Sequence, residues 1–165
     1  MKKLSIATPK IGLTAAVALF AACLPLGAAA GTGGDYHGAT ASRDHYNVIF
    51  HLDAGGTPAI KKTLTNIENV LHDPRLAGKL RVELIANSKG FDVYVKNNGF
   101  EDKLKHLQAE GVILAQCANT LKELHIDRND LYPFISIVPS GMGEITIREA
   151  QGWAYVHPSA PPEQL

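Results

Sequence analysis

The sequence predicts an α/β domain, a three-layer sandwich around a mostly parallel sheet of about five strands. Three observations predict it. Short apolar runs alternate with amphipathic helical segments, the junctions between them are brief Gly, Pro and Asn turns, and the alternation supplies the helical crossovers that parallel neighbours require.

The run Tyr46-Asn47-Val48-Ile49-Phe50-His51-Leu52 is the first strand, ended by the turn Asp53-Ala54-Gly55-Gly56. Pro58 suits a first helical turn, and Ile60, Leu64, Ile67 and Leu71 then recur at helical spacing as far as Pro74. Residues 80–86 begin in period two and end apolar, as a strand buried on both faces at its carboxyl half does. The stretch 91–96 fits a short strand or a helical turn. Asn98 and Glu101 have capping-box spacing ahead of Phe100, Leu104 and Leu107, with Glu101 and Lys105 placed to pair and Gly111 to stop the helix. Residues 112–117 form a third, buried strand, and Asn119 or Thr120 is the expected cap of a short helix after it. A fourth buried strand is expected over 134–138, a last helix over 143–151, and a final short strand over 153–156. No internal repeat is present at any fixed period.

Of the 165 residues 45% are hydrophobic and 19% charged, but the first thirty differ from the rest. They carry Lys2, Lys3 and Lys10 and no acid, an apolar stretch over 13–26, and Ala28-Ala29-Ala30 before Gly31, which is the pattern of a secretory signal. The expected organisation is therefore a signal peptide over 1–30, a flexible lead-in over 31–44, one α/β domain over 45–160 and a tail over 161–165. This predicts a periplasmic or secreted protein after cleavage near Ala30. The alternative is a lipid anchor through Cys23, because Leu19-Phe20-Ala21-Ala22-Cys23 is similar to a lipobox, with Phe20 in place of the usual leucine. Without the three leader lysines, 13 basic residues face 16 acidic ones, a net charge of −3. That argues against a nucleic-acid partner, and no stretch after the leader is long and apolar enough for a membrane span.

In an open parallel sheet, ligands bind beyond the carboxyl ends of the strands. Those ends supply His51 and Asp53, Asn87 and Ser88, Cys117 to Thr120, and Pro139-Ser140-Gly141. Cys117 is the strong nucleophile among them and the one cysteine outside the leader. It stands where a buried strand meets a helix N-terminus, whose partial positive charge favours thiolate. A buried, inert cysteine is the alternative for the same position.

Other patterns are weaker. The loop Asp53-Ala54-Gly55-Gly56-Thr57 lacks both phosphate-binding glycine spacings, so a turn is its expected role. His37, His45 and His51 are spaced unlike strong metal sites, and no metal ligand set and no cofactor are assigned. No G-x-S-x-G elbow occurs, and Ser140 has no base nearby in sequence. Trp153 and Tyr155 read as core or subunit-contact residues rather than a stacking platform.

The run from Gly111 to Leu121 containing Gln116-Cys117-Ala118-Asn119-Thr120, with Val138-Pro139-Ser140-Gly141 and Gln151-Gly152-Trp153-Ala154-Tyr155-Val156-His157-Pro158 downstream, resembles the DsrE/DsrF-like family of sulfur-metabolism proteins. The opening Val48-Ile49-Phe50-His51-Leu52-Asp53 and the Leu64-x-x-Ile67-x-Asn69 stretch are similar too. The resemblance implies a DsrE-like fold, homo-oligomers such as trimers or hexamers, and a sulfur-relay cysteine that carries sulfur as a persulfide. Cys117 matches that cysteine by its place in the motif. Relay members work inside the cell, whereas this chain carries an export pattern, so delivery to a cytoplasmic acceptor is not implied.

The expected function is an exported sulfur handler in which Cys117 accepts sulfane sulfur or exchanges with a partner thiol, with a sulfur donor or acceptor protein as partner. Asn119 and Thr120 are expected to stabilise the anion, with Ser140, Gly141, His51 and Asn87 lining the same cleft. The alternative is a non-catalytic oligomeric domain that binds a small ligand or a partner and keeps Cys117 in its core.

Overall fold

The strand Tyr46–Leu52 (β1) is half-exposed at its first two residues and buried over the rest. That gradient sets the architecture, because a strand buried on both faces needs layers above and below it. The computed structural model describes residues 36–158. The expected signal over 1–30 and tail over 161–165 lie outside the described residues. The chain divides into residues 1–38 and 39–165. In the first part the described residues 36–38 carry no helix or strand, and the second part holds the α/β domain.

After β1 come α1 (Thr57–Leu71), β2 (Leu80–Ala86), a 3-10 segment (Ser88–Tyr94), α2 (Glu101–Ala109), β3 (Ile113–Cys117), α3 (Ala118–Glu123), β4 (Ser136–Val138), α4 (Gly141–Ala150) and β5 (Ala154–Val156). The five strands form one sheet in the order β4-β3-β2-β1-β5, every pairing parallel. The chain steps one way from β1 to β4 and then crosses back beyond β1. Right-handed connections therefore put α1, α2 and α3 on one face and α4 alone on the other. Packing agrees with that assignment. Ile60, Leu64 and Ile67 of α1, Leu104 and Leu107 of α2 and Leu121 of α3 meet Val48, Phe50, Val82, Leu84 and Leu114 in a large core. Ile145 of α4 and Trp153 meet Ile49, Ile85 and Ala115 in a small one.

Several local expectations are corrected. The capping box at Asn98 does not form: its Oδ1 accepts from the Phe100 amide at 2.8 Å and its Nδ2 donates to the carbonyls of Asp92 and Val93, so Phe100 caps α2 without a side-chain bond. The pair Glu101–Lys105 does form, at 2.7 Å. Neither Asn119 nor Thr120 caps α3, because the strand passes directly into the helix and Cys117 itself is the capping position. The expected strand over 134–138 is shorter, and it is a largely exposed edge rather than a buried strand. The physical reason is Arg128, whose guanidinium collects the carbonyls of Tyr132, Pro133 and Ile135 at 2.8–3.2 Å and withholds the last from the ladder. The ambiguous stretch over 91–96 lies largely in the 3-10 segment. The last helix begins at Gly141, two residues before the expected start, with Ser140 as its cap.

Two features hold the carboxyl edge in place. At Gly90 the 3-10 segment crosses the end of β1 so closely that a Cβ there would overlap the Leu52 carbonyl, and the Gly90 amide donates to the Asp53 carbonyl at 3.1 Å. On the α4 face, buried Glu83 of β2 accepts from Arg148 of α4 at 2.7 Å, and the guanidinium lies 4.4 Å from the Trp153 ring centre. Burial pushes the Glu83 carboxyl up, the Arg148 charge pulls it back only in part, and Glu144 adds to the rise.

Urea denaturation checks both features. Gly90→Ala is expected to cost about 1–3 kcal/mol or more, the range for overfilling a close-packed site. Arg148→Met strands the buried Glu83 carboxylate and is expected to cost roughly 3 kcal/mol near neutral pH. Since the ionised form is the one that suffers, this loss relative to the unsubstituted protein narrows as pH falls and Glu83 takes up a proton.

Candidate functional site at the carboxyl edge of the sheet

Register alone puts Asn87 and Cys117 in one row. Ala86 pairs with Gln116, so the residues that follow each of them lie side by side just past the ladder. Both are on the α4 face, because Ile85 and Ala115, two residues earlier, belong to the small core beneath α4. The first turn of α4 then closes over this row at Gly141. A Cβ on Gly141 would lie 3.3 Å from the Cys117 Cβ and 3.4 Å from the Asn87 Cβ, so glycine is what lets the helix start approach so closely.

Cys117 is 5% exposed, and polar groups from two helix starts meet it at the end of β3. Burial pushes the thiol up, but hydrogen bonds from the amides of Gly141, Thr120 and Asn119 and from the Thr120 hydroxyl outweigh it and hold Cys117 below the ordinary thiol range. Two helix starts contribute, α4 through Gly141 and α3 through Asn119 and Thr120. The Thr120 hydroxyl is fixed from behind, since it also accepts from the Ser88 amide at 3.0 Å.

The row continues across the sheet. Asn87 Oδ1 lies 2.8 Å from His51 Nε2, and His51 Nδ1 lies 2.7 Å from the Tyr155 hydroxyl. A carbonyl oxygen only accepts, so His51 Nε2 donates to Asn87, and the ring is held from its other nitrogen by Tyr155. Beyond it, His157 and Asp53 meet at 2.8 Å. Partial burial pushes the Asp53 carboxyl up, and the His157 hydrogen bond with the charges of His157 and His51 brings it below its ordinary value.

The expected site residues sort accordingly. Cys117, Thr120, Gly141, Asn87 and His51 are brought together along one edge. Asn119 contributes its backbone amide, while its side chain is exposed. Ser140 caps α4 beside Gly141, its Oγ accepting from the Gly143 amide at 3.2 Å. Of the three histidines His37, His45 and His51, only His51 belongs to a cluster of metal-type donors among the described residues. Trp153 is core, as expected, whereas Tyr155 is exposed on the edge strand with its hydroxyl on His51. His157 was not anticipated. The signal for it was available, because His157 directly follows the fifth parallel strand, and the rule that singled out His51 and Cys117 applies to it equally.

The Cys117 environment has a measurable consequence. The alkylation rate of Cys117 against pH is expected to follow a midpoint below that of an unperturbed thiol, about 8.5. Thr120→Val removes one donor while keeping the shape and is expected to move that midpoint up.

Comparison with protein-family models finds no match, and comparison with curated proteins finds none either. Among solved structures, the chain is similar to the protein of unknown function MTH1491 from Methanobacterium thermoautotrophicum. The two are 32% identical, the match covers 68% of this chain and 99% of that one, and the TM-score is 0.60. With β1 to β5 and the carboxyl-edge row in place, that similarity makes this chain a member of the same family as MTH1491.

Proposed function

We propose that this protein is an exported sulfur handler that accepts sulfane sulfur on Cys117. The observation that carries the reading is the placement of a buried sulfur at the end of β3 under the start of α4, where amide and hydroxyl donors hold its thiol below the ordinary range. Such donors favour an anion, and a terminal persulfide is an anion that fits the same donors. The resemblance of the Gln116-Cys117-Ala118-Asn119-Thr120 run to DsrE/DsrF-like proteins supports it independently.

The step is an exchange with no net oxidation. The Cys117 thiolate attacks the outer sulfur of a small persulfide or polysulfide, a new sulfur–sulfur bond forms at Cys117, the donor's own sulfur–sulfur bond breaks, and the donor leaves as a thiolate. A second thiolate attacking the outer sulfur of Cys117 persulfide returns the cysteine and carries the sulfur away. At 5% exposure Cys117 favours small donors over bulky ones. On this reading the protein works in the periplasm or outside the cell, following cleavage near Ala30 or anchoring through Cys23. It also works as a homo-oligomer, a trimer or hexamer, and the exposed Ile113, Met142 and Ile147 on the α4 side are apolar surface that self-association would cover.

Intact mass before and after exposure to inorganic polysulfide tests the reading. The expected result is a gain of one sulfur that is removed by reductant, retained in Cys23→Ser and lost in Cys117→Ser. Reductant separates it from two added oxygens of the same nominal mass, which persist. No gain by the folded protein at a pH where Cys117 is thiolate overturns the proposal and leaves a binding domain with a buried cysteine.

A further inference from the structure

We infer that the crevice between the carboxyl ends of β1 and β5 is a binding site for a zinc-class divalent cation, ligated by His51, Asp53 and His157. The site is separate from the sulfur chemistry proposed for Cys117 and goes beyond it.

The donors come together through topology rather than sequence spacing. His51 ends β1, Asp53 opens the turn after it, and His157 follows β5, which pairs with β1 in parallel. All three donors thus stand at or just past the carboxyl ends of two adjacent parallel strands, the edge at which open α/β sheets bind ligands. One donor atom from each residue lies within 4.8 Å of the other two. A tetrahedral ion with bonds of about 2.1 Å holds its donors about 3.4 Å apart, so an entering ion opens the 2.8 Å His157–Asp53 contact and draws the wider pairs together. Two imidazoles and one carboxylate are a borderline ligand set that suits zinc and leaves further positions open for water or substrate.

The surroundings are built as a histidine ligand requires. His51 is 6% exposed and held by Asn87, whose side-chain oxygen lies 2.8 Å from Nε2. A metal-bound imidazole is held in the same way by an acceptor on its other nitrogen. On the other side of the ring Nδ1 lies 2.7 Å from the Tyr155 hydroxyl, the contact that an entering cation replaces. Asp53 is steadied through its carbonyl, which accepts from the Gly90 amide at 3.1 Å. Asp53 and His157 are each 42% exposed at the side chain, which gives the ion an entry path. The rings of His51 and His157 stand 5.1 Å apart at their centres.

The test is zinc titration of the metal-stripped, untagged full chain against a chromogenic chelator, with the cobalt-substituted protein read by absorption. The expected result is one zinc per chain, unchanged in Cys117→Ser and weakened by about tenfold or more in Asp53→Asn and in His157→Gln. Asn87→Ala is expected to weaken it by about 10–100-fold as the lost outer partner. Tyr155→Phe removes the competitor for Nδ1 and is expected to bind at least as tightly, which a merely structural role for these residues does not produce. Cobalt is expected to show ligand-field bands without a thiolate charge-transfer band. Three outcomes overturn the inference: no zinc bound by the folded protein, unchanged affinity in the Asp53→Asn, His157→Gln double variant, or a thiolate band that disappears in Cys117→Ser.

Discussion

The return of the chain from β4 across the sheet to β5 constrains the site more than any other step. Had the chain kept stepping outward from β4, α4 would have packed beside α3 and the second face of the sheet would have been bare. Crossing back puts α4 over that face and lays β5 against β1. The same crossing brings the Gly141 amide onto Cys117 at one end of the edge and His157 onto Asp53 at the other. Both ends of the row are thus products of one topological choice, made possible at close range by the missing side chain of Gly141.

The lone helix on the second face is positioned by charge more than it is stabilised by it. Its apolar contribution is small, Ile145 together with Trp153, against three helices on the other side. Glu83 and Arg148 add a buried ion pair whose net contribution is modest once desolvation is counted, but whose geometry is specific. A carboxylate in the middle of β2 accepts only one register of α4, and that register fixes where the helix begins. Arg148 at the far end of α4 and Gly141 at its start are therefore coupled, because the ion pair sets the position of the amide that faces the cysteine sulfur.

Along the edge, Asn87 occupies the middle. Its Cβ lies beside Gly141, and its side-chain oxygen takes the proton of His51. It borders the thiol on one side and holds the histidine ring on the other, so the two halves of the edge share a wall while using different chemistry. An anion is favoured at the Cys117 end by helix amides, and cations are favoured at the other end by Asp53 and two imidazoles.

Much of the fold was legible along the chain, because its signals are local. The strands at 46–52 and 80–86 coincide with β1 and β2, since apolar runs bounded by turns need no tertiary information to be read. The helix from Thr57 to Leu71 was equally clear from its spacing and Pro58. The errors fell where a side chain bonded to neighbouring backbone: Arg128 drew carbonyls away from the expected fourth strand, and Asn98 spent its amide on the backbone at Asp92 and Val93 instead of capping. At the site, the sequence determined that Cys117, His51 and Asn87 stand at strand ends, and that much follows from alternation and turns. Only the tertiary structure decided which strand end faces which. Residues 104 positions apart, His51 with Tyr155 and Asp53 with His157, meet because β5 pairs with β1. Strand order depends on how whole faces are buried, and that is settled by packing of the assembled sheet rather than by any window of sequence.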